Sequence, residues 1–144
     1  MLSIPAKGGC QCGDCGYVLK ANPYVAYACH CQECKKLTAS AFLTCMHVSS
    51  ESVTTTKGQP VSKQRESDSG NTILTWFCDS CGSTLFADNS SRPGIKTLHV
   101  GSLEQPEEIT INKHIWTKRK LPWIQLPDTD ETYPEGKDWS EYYR

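Results

Sequence analysis

Gly8-Gly9-Cys10-Gln11-Cys12-Gly13-Asp14-Cys15 and Cys29-His30-Cys31-Gln32-Glu33-Cys34 share one C-x-C-x-x-C spacing, and Cys78-Asp79-Ser80-Cys81-Gly82 answers them far downstream. Eight of the nine cysteines lie in these three clusters. Sulfurs two or three residues apart, facing a matching pair distant in the chain, are the pattern that holds a soft tetrahedral ion. In an extended strand residues i and i+2 face one side, so Cys10 and Cys12 reach a common ion. Cys78-x-x-Cys81 before Gly82 suits a tight turn whose backbone N–H groups donate to the sulfurs. The expectation is a closed structural site, Cys10/Cys12/Cys78/Cys81, pinning the N-terminal strand to the middle of the chain.

Cys29, Cys31 and Cys34 remain. Three protein ligands with a free fourth position are the arrangement of a catalytic zinc. Three thiolates make the ion electron-rich, a poor generator of hydroxide and a good host for a soft ligand such as a substrate thiol. That thiol would be held as thiolate, the nucleophilic form. Spacing alone leaves alternatives. Cys10, Cys12 and Cys15 form an equally spaced trio. Cys15 or Cys45 can close the second site, giving a non-catalytic zinc module that binds another macromolecule. Cys45, inside the apolar run Phe42–Met46, reads as a packing residue, and Cys15 reads as packing with ligation as its alternative. Redox or zinc-buffering chemistry is a third reading.

Composition frames the compartment and partners. The chain has 144 residues, 38% apolar and 22% charged, with a formal net charge of −1. That length suits one domain, 1–144, with 127–144 as an acidic, aromatic C-terminal arm carrying Trp139, Tyr142 and Tyr143. No apolar stretch is long enough for a bilayer, and Met1–Lys7 lacks the apolar core of a secretory signal. A cytoplasmic, reducing location is expected, which favours metal over disulfides. Lys118-Arg119-Lys120 is one short basic run and acidic residues crowd the last third, so nucleic acid is not expected as a partner. Oligomeric state is left open.

The rest reads as mostly β. Short β-branched or aromatic runs at Tyr17–Leu19, Tyr24–Ala28, Phe42–Val48, Val53–Thr56, Ile73–Phe77, Thr84–Phe86, Thr97–Val100 and Ile109–Ile111 alternate with Gly, Pro and Asn turns. One short helix is expected over Gln32–Ser40. His30, between two ligands, points away from the ion and supports or packs. His114, Trp116 and Trp123 line a substrate pocket or seal the sheet. Lys35 and Lys36 are solvated helix-face lysines or attract ligand carboxylates. Arg92, Lys118 and Arg119 are surface charges.

Gly8–Gly13, Cys29–Lys36 and Phe77–Ser83, with Gly101-Ser102-Leu103, His114-Ile115-Trp116 and Leu121-Pro122-Trp123-Ile124, make the chain resemble the glutathione-dependent formaldehyde-activating enzyme family, also named for centromere protein V. The likeness runs from about Gly8 to Asp128. It implies a mainly β, Mss4-like fold of antiparallel sheets with short helical turns and two zinc ions per chain. It also implies that Cys10, Cys12, Cys78 and Cys81 hold the structural ion and Cys29, Cys31 and Cys34 the catalytic one. The implied activity is that of a carbon–sulfur lyase joining formaldehyde to glutathione. The chain departs from the family at Cys15, usually a plain apolar residue, and at Ala39, usually glycine, where the extra methyl is expected to narrow the approach to the second ion. The segment beyond Pro127 is not a family hallmark.

Overall fold

The computed structural model describes residues 2–67 and 69–144. Eleven strands are described: β1 (Ala6–Gly9), β2 (Gly16–Leu19), β3 (Val25–Cys29), β4 (Leu43–Ser49), β5 (Val53–Lys57), β6 (Val61–Glu66), β7 (Thr72–Phe77), β8 (Thr84–Asn89), β9 (Ile95–His99), β10 (Lys113–Ile115) and β11 (Glu131–Thr132). One α-helix, α1 (Gln32–Thr38), interrupts them. A three-stranded sheet has the order β1-β2-β5, and an eight-stranded sheet the order β11-β10-β3-β4-β9-β8-β7-β6. The molecule is mainly β, as the alternating runs predict.

Alternation along the strands gives the large sheet two dressed faces. Met46 and Val48 of β4, Phe86 of β8 and Leu98 of β9 pack with Tyr17 and Leu19 of β2, a core between the sheets. On the opposite face Val25, Tyr27 and Cys29 of β3 join Cys45 of β4, Ile115 of β10 and Trp139. Trp139, 3% exposed, stacks on Tyr27 at 5.4 Å between ring centroids. The Tyr143 hydroxyl lies 2.7 Å from His47 Nδ1, and His47 Nε2 lies 2.9 Å from the Tyr27 hydroxyl. The segment from 131 to 143 is thus bound to the face of the sheet that carries Cys29.

Four features differ from the sequence reading. β1, Ala-Lys-Gly-Gly, carries no apolar signal, because the Tyr17 ring packs directly over Gly8 where any Cβ would collide. β6 is almost wholly exposed and rests on pairing with β7 alone. Ile109–Ile111 is not a strand; a 3-10 turn at Pro106–Glu108 precedes it, and the strand is Lys113–Ile115. The large sheet is mixed rather than purely antiparallel, since β10 runs parallel to both β3 and β11. Among the described residues no helix is long and apolar enough to cross a membrane.

Candidate metal centres

The first cluster forms where two turns meet. Cys10 and Cys12 sit on the turn that follows β1, not on an extended strand, and Cys78 and Cys81 on the β7–β8 turn. The four sulfurs lie within 4.8 Å of one another. Cys12 Sγ is 3.6 Å from Cys10 Sγ and 3.7 Å from Cys78 Sγ. A tetrahedral ion at about 2.3 Å from each thiolate sets its sulfurs about 3.8 Å apart, so this donor set fits zinc. Gly82, with φ +79°, lets its N–H bond the Cys78 carbonyl at 2.8 Å and closes the β7–β8 turn. The Cys15 N–H donates to Cys10 Sγ at 3.2 Å.

Ser83 couples the two turns. Its hydroxyl accepts from the Gln11 N–H at 3.1 Å and lies 3.3 Å from Cys81 Sγ. Hydrogen bonds from the Ser83 hydroxyl, the Ser83 N–H and the Cys12 N–H pull the Cys81 thiol down to about 5, presetting it as a thiolate. Cys15 stands beside this cluster. It is buried in the inter-sheet core against Cys78 and Cys10, and burial followed by those sulfurs pushes its thiol up to about 11. It is not near the second trio.

The second cluster is built from one strand end and one helix start. Cys29 ends β3, Cys31 caps α1, and Cys34 is the buried residue of its first turn. Cys31 Sγ accepts from the Cys34 N–H at 3.3 Å, the cap that spaces the sulfurs. Their three Sγ atoms lie within 4.8 Å of one another. No fourth His, Cys, Asp or Glu side chain joins them at that distance among the described residues. Hydrogen bonding from Cys29 first, then Cys34, with the Cys34 and Glu33 N–H groups, draws the Cys31 thiol down to about 2. Cys29 rises to about 12, chiefly against Cys31, and Cys34 rises too. Without a cation the trio concentrates one negative charge on Cys31; a divalent ion would let all three ionise.

Cys45 shares the trio's apolar surroundings but is not part of it. It pairs in register with Tyr27, and burial pushes its thiol well above the usual range. Ala39, the residue expected to crowd the trio, is exposed and ends α1 in the left-handed region at φ 51°. Its methyl faces solvent, so it does not narrow that approach.

The remaining candidates sort clearly. His30 is fully buried, its ring beside Phe42 at 5.1 Å and His114 at 5.3 Å. Burial first, with the nearby charges of Lys120 and Lys35 adding to it, lowers it to about 4, so it is neutral at pH 7. His30 Nε2 is 3.1 Å from His114 Nδ1, and His114 Nε2 is 2.8 Å from Asp130 Oδ2. Asp130 carried no signal in the sequence, being one carboxylate in an acidic stretch. Lys35 Nζ donates to the Arg119 carbonyl, tying the helix to the loop after β10, while Lys36 is exposed. Trp116 packs on the trio's core, and Trp123 is 70% exposed. Lys118 pairs with Glu135 at 2.7 Å and Arg119 is exposed. Arg92 is half-buried rather than a free surface charge, bonding Thr97 Oγ1 at 3.4 Å.

A groove of about 1060 Å³ runs between the sheets past Gly9, Ser83, His99 and Phe42. It borders the four-cysteine cluster and does not reach the trio. Leu43, opposite Cys29 in register, forms part of the wall between them.

A family model described as glutathione-dependent formaldehyde-activating enzyme matches residues 5–119. No curated protein matches the sequence. A crystal structure of a Rhodobacter sphaeroides protein is similar in fold, with a TM-score of 0.54 at 21% identity, covering 68% of this chain and 87% of that one.

Proposed function

The chain belongs to the glutathione-dependent formaldehyde-activating enzyme family, and from that premise we propose that it is a two-zinc carbon–sulfur lyase acting on a thiol–aldehyde adduct. Glutathione with formaldehyde is the pair the family name indicates; another small aldehyde fits the same chemistry. Cys10, Cys12, Cys78 and Cys81 hold the structural ion, and Cys29, Cys31 and Cys34 hold the catalytic one. The observation that carries this reading is the trio's three sulfurs within 4.8 Å with no fourth donor side chain among the described residues.

A zinc ion bound there supplies a Lewis-acidic position that keeps a substrate thiol deprotonated at neutral pH. The chain's own part is to present three thiolates in fixed geometry. Cys29 is held by the β3–β4 pairing, Cys31 and Cys34 by the helix cap. Joining the pair forms one carbon–sulfur bond and moves the S–H proton to the former carbonyl oxygen. Nothing is oxidised or reduced, and the reverse reaction breaks the same bond. A reducing compartment such as the cytoplasm suits these thiols.

Zinc X-ray absorption tests it. Two zinc ions per chain are expected, and Cys15→Ser and Cys45→Ser should each retain both. Adding glutathione should raise the average sulfur coordination. Four protein sulfurs at both ions, or no spectral response to any thiol, overturns the proposal.

A further inference from the structure

A row of three side chains, two of them buried, connects the segment beyond the family match to the trio. Asp130 directly precedes β11, past the last matched residue, 119. Its Oδ2 is 2.8 Å from His114 Nε2, and His114 Nδ1 is 3.1 Å from His30 Nε2. His30 is 0% exposed and His114 5%. His30 is also the residue between Cys29 and Cys31, and its Nδ1 is buried with no hydrogen-bond partner among the described residues. Its main chain is fixed from the same side: the His30 N–H donates to the Ile115 carbonyl at 3.0 Å, and Ile115 pairs with Cys29.

Proton counting along this row has two solutions. An ionised carboxylate only accepts, so His114 Nε2 carries a hydrogen. One proton lies between the two rings. If it sits on His30, both rings are neutral and the row ends on a lone pair at His30 Nδ1. If it sits on His114, that ring is a buried imidazolium and His30 Nδ1–H is a buried donor with nothing to bond. An orphaned N–H is the rarer and costlier outcome. The first solution therefore holds, and the direction of the whole row is set by its carboxylate.

We propose that Asp130 is a positioning residue for the cysteine trio: through His114 it fixes His30 as the Nε2–H tautomer and so locks the Cys29-His30-Cys31 segment that presents two of the three sulfurs. This rests on reading the trio as a metal site. Outer hydrogen bonds of this kind change metal affinity by about 10–100-fold when removed.

The test uses the zinc-loaded protein. Imidazole ¹⁵N–¹H correlation spectra should show His30 and His114 each as a single Nε2–H tautomer. Asp130→Ala should mix the tautomers and weaken one of the two zinc ions by about 10–100-fold against a competing chelator. The four-cysteine ion serves as the internal control and should be unchanged. Asp130→Asn, whose amide oxygen can still accept from His114, should recover most of the affinity. A wild-type spectrum with His114 protonated at Nδ1 overturns the inference without any variant. So does an Asp130→Ala protein that folds, keeps both affinities and keeps both tautomers. A chain that binds a single zinc instead refutes the metal reading of the trio. Failure of a thiol to bind would touch the proposed reaction alone.

Discussion

Ser83 is one hydroxyl serving two turns, accepting from Gln11 and contacting Cys81. Ser83→Ala leaves the Gln11 N–H without its partner and should lower stability by about 1 kcal/mol in urea unfolding, with the zinc content retained. Beside His30, two further buried histidines set a pH dependence. Burial lowers His47 to about 3, with the nearby charge of Arg92 adding to it, and lowers His99 to about 4, both from an ordinary 6.5. Unfolded, both rings take up protons as the pH falls through 6.5; folded, both stay neutral until about 4. Stability is therefore full above pH 7 and falls with acid between about 6.5 and 4. The slope approaches about 1.4 kcal/mol per pH unit for each ring. His99→Gln should flatten the slope of unfolding free energy against pH by about one proton; an unchanged slope would mean that His99 does not stay neutral in the fold.

At the scale of elements, α1 ends on a strained residue. Ala39 holds φ 51° while its N–H reaches the Lys35 carbonyl. Ala39→Gly should relieve that conformation and raise stability by about 0.5–1 kcal/mol, read as a higher thermal midpoint. Much of this helix was legible: the second cysteine cluster marks its cap, and the polar run after it its length. Most strands were legible too, since β-branched and aromatic runs between turn residues are local signals. β1 was not, because Gly8 answers to the Tyr17 ring nine residues on rather than to its own propensity. β6 was not, because a strand exposed on both sides has no alternation to read. β10 was misplaced onto Ile109–Ile111, where apolar residues lie, because its parallel partners β3 and β11 are remote in sequence. The same limit divides the metal centres. Cysteine spacing exposes the two sulfur clusters, whereas Asp130 and Ser83 make contacts that no spacing encodes.

For the whole molecule, the four-cysteine cluster joins one sheet to the other across sixty-six residues, from Cys12 to Cys78. A cross-link closing a loop of that length restricts the unfolded chain by about 4 kcal/mol on the entropic account. The trio spans only a strand end and one helical turn and closes no long loop. Chelation followed by circular dichroism should therefore show two stages: one zinc leaves with the sheet signal intact, and loss of the second melts the fold. Cys31→Ser should fold with one zinc, while Cys78→Ser should lose most of its thermal stability. The aromatic segment over the large sheet has an optical consequence. Trp139 is in a dry stack and Trp123 is bathed in water, so these two of the four indoles emit at different wavelengths, and of the pair Trp123 is the one open to an ionic quencher. Any event that peels residues 131–143 from the sheet would announce itself as a red shift in fluorescence.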